Sequence, residues 1–254
     1  RKARRGCARS VRFRCRRAPS WLCSNWILRN MNVALLITLT DDGKDGATAC
    51  LEECQRQTEA LTATGGYSFT TFLNDEGVGG YQKVWEKVLG IGFDFYLWMD
   101  SDLRLEEGAF ASFFENSFFL RHKAVIAGTV SDLSGNLLSG GRSRHGRLLE
   151  PDPVIPIPCH LYDMTLTLVP EYAVRHLENP SDIFRPNLLD YGCGAKVAKA
   201  GVARVIAPGI LARTGRKPDL PAWKNPDRPA AERISSLIRG SNREFIRVMH
   251  SIFR

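Results

Sequence analysis

Residues 31–212 of this 254-residue chain predict an α/β fold, a mostly parallel central sheet flanked by helices, on three observations. Apolar, β-branched runs of strand length alternate with stretches of helical spacing. The strands read as continuous apolar runs, the pattern of strands covered on both faces. Acidic loops at Asp41-Asp42, Asp75 and Asp100-Asp102 each follow a strand, where parallel sheets place their ligands.

The elements follow in order. Residues 31–39 form a buried strand that gives way to Thr40-Asp41-Asp42-Gly43-Lys44-Asp45-Gly46, a loop by composition. Residues 47–61 read as a helix, and 67–73 as a second strand stopped at Asn74-Asp75-Glu76-Gly77. Gly79 and Gly80 precede a helix in which Tyr81, Val84, Trp85, Val88 and Leu89 keep i, i+3, i+4, i+7 spacing. Residues 93–99 make an aromatic third strand that runs directly into Asp100-Ser101-Asp102. A helix over 106–119, a strand over 123–130 and a Gly-rich turn over 137–142 complete the regular half.

Pro151, Pro153, Pro156 and Pro158 mark an extended crossing. A strand is expected over 164–168, a helix over 171–177, a Gly-rich turn after Asp190, a helix over 195–200, and a strand over 203–207 closing at Pro208-Gly209. From 214 to 229 the composition is that of a surface linker. Residues 230–254 resemble short basic amphipathic helices through Ile234, Leu237, Ile238, Phe245, Ile246, Val248 and Met249. The domain reading is therefore a basic extension over 1–30, an α/β domain over 31–212, and a basic linker with a helical tail over 213–254.

The net charge of +8 is unevenly placed. Residues 1–30 hold ten Arg or Lys and no acid, whereas 31–200 hold 14 basic against 23 acidic residues. A nucleic-acid binder concentrates positive charge on its folded body, and this body is acidic, so no nucleic-acid partner is expected. The first 30 residues lack the apolar core of a secretory signal. They read as a disordered arm, as sequence ahead of a true start at Met31, or as an Arg-rich transit peptide. Seven cysteines include no CxxC pair, and Cys50 and Cys54 sit one helical turn apart, a spacing suited neither to a disulfide nor to structural zinc. Reduced thiols packed as small hydrophobes, in a cytoplasmic protein, are expected. No apolar run approaches the roughly 18 residues that cross a bilayer. The basic tail could rest on an anionic membrane surface or pack on the domain.

Asp100 and Asp102 are two carboxylates one residue apart at a strand end, so both can turn towards one hard cation. Mg²⁺ and Mn²⁺ take such oxygen ligands beside phosphate oxygens. A cation there stabilises a departing diphosphate as Lewis acid and template. By itself the motif is equally a turn or a helix N-cap.

The run Tyr96-Leu97-Trp98-Met99-Asp100-Ser101-Asp102-Leu103 resembles the signature of glycosyltransferase family 2, whose fold is the GT-A, nucleotide-diphospho-sugar type. Stretches at 31–38, 49–54, 80–87, Gly140-Gly141-Arg142, Thr167-Leu168-Val169-Pro170 and Asp190-Tyr191-Gly192 resemble further segments of short bacterial members, in the same order. The resemblance implies inverting, metal-assisted transfer of a sugar from a nucleotide diphosphate to a hydroxyl of a glycan or lipid-linked acceptor. It implies Asp190 as the base that deprotonates this hydroxyl, and Thr40, Asp41, Asp75, Asp100 and Ser101 as donor contacts. Asp100 and Asp102 would hold Mn²⁺ or Mg²⁺. Asp42 falls in the same first loop. Asp190 could equally be a turn or cap residue, and Asp75 a structural one.

The chain departs from the family after Asp75, where about one helix and one strand are missing by ordinary element lengths. Asp163-Met164-Thr165 stands where relatives have an Asn-Gly-Asn-like stretch. The acid and Arg that follow the base are replaced around Gly192-Cys193-Gly194-Ala195, leaving Lys196 as a substitute phosphate contact. Two alternatives remain beside the transferase: a non-catalytic nucleotide-sugar-binding module, and a nucleotidyltransferase. The acidic first loop disfavours the latter.

Overall fold

A computed structural model of the chain describes residues 30–39, 44–64, 66–74, 81–177, 183, 194–215, 229–232 and 235. The first half follows the expected alternation: β1 (Met31–Thr38), α1 (Lys44–Ala63), β2 (Tyr67–Asn74), α2 (Tyr81–Ile91) and β3 (Phe95–Asp100). A short β4 (Leu103–Leu105), α3 (Ala109–Phe119) and β5 (Ala124–Asp132) come next. The second half adds β6 (Leu137–Ser139), β7 (Gly141–Arg142), β8 (Ile157–Pro158), β9 (Leu161–Tyr162) and β10 (Leu166–Pro170). It closes with α4 (Glu171–Arg175), α5 (Ala195–Lys199) and β11 (Ala203–Thr214).

The main sheet runs β2-β1-β3-β10-β5-β11-β4, with β6 on β5 and β8 on β11. β2, β1 and β3 are mutually parallel, as are β5 and β11; β10 is inserted antiparallel between the two groups. The fold is α/β with a mostly parallel core and helices on both faces.

Strand periodicity divides the core in two. Val33, Leu35, Ile37, Phe95, Leu97 and Met99 face α1 and α3, burying Cys50, Cys54, Phe110 and Phe113. The alternate residues Ala34, Leu36, Tyr96 and Trp98 face α2, α4 and α5, where Trp85 packs edge-on against Tyr96 at 4.8 Å. Burial on both faces explains the unbroken apolar runs of β1 and β3. Cys50, Cys54 and Cys159 are free and buried, as small hydrophobes are.

Several sequence expectations are corrected. Residues 137–142, expected as a turn, hold β6 and β7, because the tight turn at Asp132–Asn136 reverses the chain onto β5. The last strand does not close at Pro208-Gly209 but continues to Thr214, two residues past the expected domain limit. A proline lacks the donor a regular ladder needs, and the register shifts there absorb it as bulges. Gly209, at φ 69°, donates its N–H to Asp152 O at 2.9 Å instead of the ladder. The helix expected from 106 begins at Ala109, since 103–105 is spent on β4. Gln57 of α1 fixes that start: its Oε1 accepts from Phe110 N at 2.9 Å and its Nε2 donates to Glu106 O at 2.9 Å.

At the far end of α3 the chain turns through two left-handed residues, Arg121 (φ 57°) and His122 (φ 55°). His122 Nδ1 lies 2.9 Å from Ser117 Oγ, and its ring meets Phe95 edge-on at 5.2 Å. Burial pushes the imidazole below its ordinary value of 6.5, with Asp94 opposing weakly. The unfolded chain therefore binds more protons than the native one just below that value, so stability falls as the pH drops through it. Thermal unfolding should show a midpoint lower at about pH 5.5 than at 7.5, and part of that fall should vanish in His122→Gln. A histidine titration placing His122 above 6.5 would contradict this.

Candidate functional site

The parallel strands bring their carboxyl ends to one level. Thr38, the last residue of β1, is in register with Asn74, the last of β2, and with Asp100, the last of β3. Backbone bonds fix this level: Leu39 N donates to Asn74 O at 2.8 Å, Ser101 N to Thr38 O at 2.9 Å, and Asp100 N to Thr165 O at 3.0 Å. Apolar strand interiors give way to polar termini, and Thr38, Asn74, Asp100, Ser101, Ser131 and Thr214 are all buried there. Such burial is costly unless each group finds a partner, and Ser131 Oγ donates to Asp132 O at 3.0 Å.

Asp102 lies in the turn between β3 and β4. β4 pairs antiparallel with the end of β11, which sets Thr214 opposite Leu103. Thr214 Oγ1 donates to Asp102 Oδ2 at 2.8 Å, while Asp102 Oδ1 is buried and has no hydrogen-bond partner. The Thr38 hydroxyl is likewise buried and unmet. Glu106 N reaches Leu211 O at 2.8 Å, and the Glu106–Arg213 pair at 2.6 Å clamps the same hairpin. Behind the motif the packing is soft and apolar: Cys50 Sγ approaches Asp100 O at 3.9 Å and Cys54 Sγ meets Met99 Sδ at 3.3 Å. The hydrogen bond with the neighbouring Cys50 pushes the Cys54 thiol far up, and burial adds to this, so Cys54 does not stand as a nucleophile.

A second polar assembly borders the start of β10. Asp163 receives Arg142 Nε at 2.9 Å and Arg142 Nη2 at 2.8 Å, and also accepts Gly140 N at 3.2 Å. Arg142 Nη1 donates onward to Gly146 O at 3.1 Å. Gly140 is at φ 149°, and a side chain there would press on Thr129. This links Gly140-Gly141-Arg142 with Asp163-Met164-Thr165, two stretches far apart in sequence. Thr165 is in turn the residue that receives Asp100 N.

Asp100, Ser101 and Asp102 thus stand together at the sheet end. Thr40, Asp41 and Asp42, which follow β1, Asp75, which follows β2, and Asp190 all lie outside the described residues, as does nearly all of the basic tail. Sequence reasoning missed Thr38, Asn74 and Thr214. Their signal was available as a polar residue terminating each apolar run, although Pro208-Gly209 hid the strand that leads to Thr214. The Arg142–Asp163 pair left no signal, since nothing local requires the two to meet.

Among the described residues no group of three His, Cys, Asp or Glu side chains forms a metal cage. A buried carboxylate oxygen without a donor, two residues from a second buried acidic residue, fits a hard divalent cation that completes its shell with a ligand's phosphates. No helix among the described residues is long and apolar enough to cross a membrane.

Fold and site together define an α/β protein with a polar, oxygen-lined centre at the carboxyl ends of a mostly parallel sheet. No known protein family and no curated protein matches the chain. Solved structures do match. A197 from STIV is 12% identical, with a TM-score of 0.45 over 72% of this chain and 84% of its own. GalNAc-T7 with UDP, GalNAc and Mn²⁺ is 10% identical, with a TM-score of 0.44 over 82% of this chain and 48% of its own. The mannosyltransferase PcManGT from Pyrobaculum calidifontis, in complex with GDP-Man and Mn²⁺, is 11% identical, with a TM-score of 0.43 over 89% of this chain and 69% of its own.

Proposed function

We propose that the protein is an inverting glycosyltransferase of the GT-A, family 2 kind. It would move a sugar from a nucleotide diphosphate to a hydroxyl of a glycan or lipid-linked acceptor. The observation that carries this reading is Asp102: one oxygen is held by Thr214, and the other is buried without a partner, two residues after Asp100 at the end of β3. The family signature around those residues supplies the chemistry that such a carboxylate suits.

On this reading Asp100 and Asp102 hold Mn²⁺ or Mg²⁺. When bound, the cation supplies charge for the departing diphosphate. Ser101, Thr40, Asp41 and Asp75 contact the donor, the last three being residues that follow β1 and β2 along the chain. Asp190 takes the proton from the acceptor hydroxyl, a task suited to a partly desolvated carboxylate. Residues 31–212, with the last two residues of β11, form the transferase domain. The basic residues 230–254 meet a membrane surface at the cytoplasmic face.

One observation favours a second reading, a nucleotide-sugar-binding module without turnover. Among the described residues the sheet ends at β2, with no further strand beside it, so the donor side is short.

Calorimetric titration of UDP, dTDP and GDP into the full chain, with and without Mn²⁺, tests the proposal. Metal-dependent binding of one nucleotide, with sugar release from the corresponding donor, supports a transferase. Binding without turnover selects the module, and no binding by folded protein removes both.

A further inference from the structure

Thr214 has no place in the signature around Asp100-Ser101-Asp102, yet the fold carries it there. β11 runs twelve residues, passes its register shifts between Ile206 and Ala212, and ends where β4 turns back from the motif. Thr214 is 5% exposed. Its neighbours across the ladders are Leu103 on one side and Asp132 on the other, which fixes its backbone from both directions. A β-branched side chain on such a backbone has little choice of χ1, so its hydroxyl points where the strand aims it. It is aimed at Asp102 Oδ2, 2.8 Å away.

We propose that Thr214 is a positioning residue for the divalent cation. Its hydroxyl holds the Asp102 carboxylate in the orientation that leaves Oδ1 for the metal. This rests on the reading of Asp100 and Asp102 as cation ligands, and names the group that presents one of them. The chemistry of the partner matters. A lysine or arginine in this place would cancel the charge the cation needs, as Arg142 does for Asp163. A neutral hydroxyl orients the carboxylate and leaves its charge intact. Without the hydroxyl, both oxygens of Asp102 would be without donors, and the side chain would turn towards solvent. The order of the chain makes the arrangement long-range: Asp102 and Thr214 are 112 positions apart.

Mn²⁺ titration of the full chain in the presence of UDP, followed by the loss of the free-ion paramagnetic signal, measures this without turnover. Thr214→Val, close to isosteric, should weaken Mn²⁺ binding about 10- to 100-fold, the usual effect of removing a partner that orients a ligand. Thr214→Ser, which keeps the hydroxyl, should stay within about threefold of the native protein by the same reasoning. Thermal midpoints establish that each variant is folded; should Thr214→Val not fold, Thr214→Ala gives the same contrast with Thr214→Ser. Equal affinity in the native protein and the hydroxyl-free variant overturns the inference while leaving the metal site standing. Equal weakness in the serine and hydroxyl-free variants also overturns it, because packing rather than the hydroxyl would then be responsible. A native protein that binds no Mn²⁺ overturns the metal reading and this inference together.

Discussion

Asp102→Asn should lower transfer, measured as kcat/KM at saturating Mn²⁺, by about three orders of magnitude or more. The substitution keeps the shape of the side chain, and a threonine hydroxyl can face either an oxygen or an amide. The hydrogen bond from Thr214 at 2.8 Å therefore need not be lost, and the β3–β4 turn should keep its path. What disappears is one formal charge at the oxygen that has no other partner. A cation stabilising a developing diphosphate is worth several kcal/mol, and each factor of ten in rate is about 1.4 kcal/mol. The variant should melt close to the native protein, or slightly higher, since a buried unmet charge has been removed. Activity retained to within tenfold, in protein that melts normally, would remove Asp102 from the cation site.

Arg142→Ala should be the most damaging single change to stability away from the apolar core, costing about 3–5 kcal/mol in chemical denaturation. Both partners are largely buried, with side chains 18% and 15% exposed, so little water is on hand to replace the guanidinium. The carboxylate would keep only the Gly140 N–H at 3.2 Å, and the Gly146 carbonyl would lose its donor as well. For a chain of this size such a loss is about 10 °C in melting midpoint. The double variant Arg142→Met/Asp163→Leu should recover much of it, because removing both charges removes the desolvation problem. A single-variant loss below about 1 kcal/mol would mean the pair is solvated in solution and worth no more than a surface bridge.

The alternation of β1, α1, β2, α2 and β3 was legible because both faces of those strands are buried, which writes itself into sequence as unbroken apolar runs. The strand end at Asp100 was legible for a related reason: Phe95 to Met99 cannot stop being apolar at a strand end without announcing it. β4 was not legible, since Leu103-Arg104-Leu105 is too short to show a period. β6 and β7 were hidden behind glycines that read as a turn, and the second half of β11 behind Pro208-Gly209. In each case the missing information was a pairing partner far away in sequence. The connection after Asp75 lies outside the described residues, and the sheet, as far as those go, has β2 at its edge.

Buried side-chain oxygens lacking partners gather on the carboxyl side of the sheet: Thr38, Asp102, Thr129 and Ser139. At that end the sequence keeps polar atoms where valine or leucine would fit the fold better. On the transferase reading, heat tolerance and chemistry would be set by the same few atoms and would pull in opposite directions. A lineage released from its reaction would drift first at these positions, towards aliphatic residues, and would gain robustness as it lost its purpose. Comparing which of the four stay polar among distant homologues therefore gives a record of whether the reaction is still under selection.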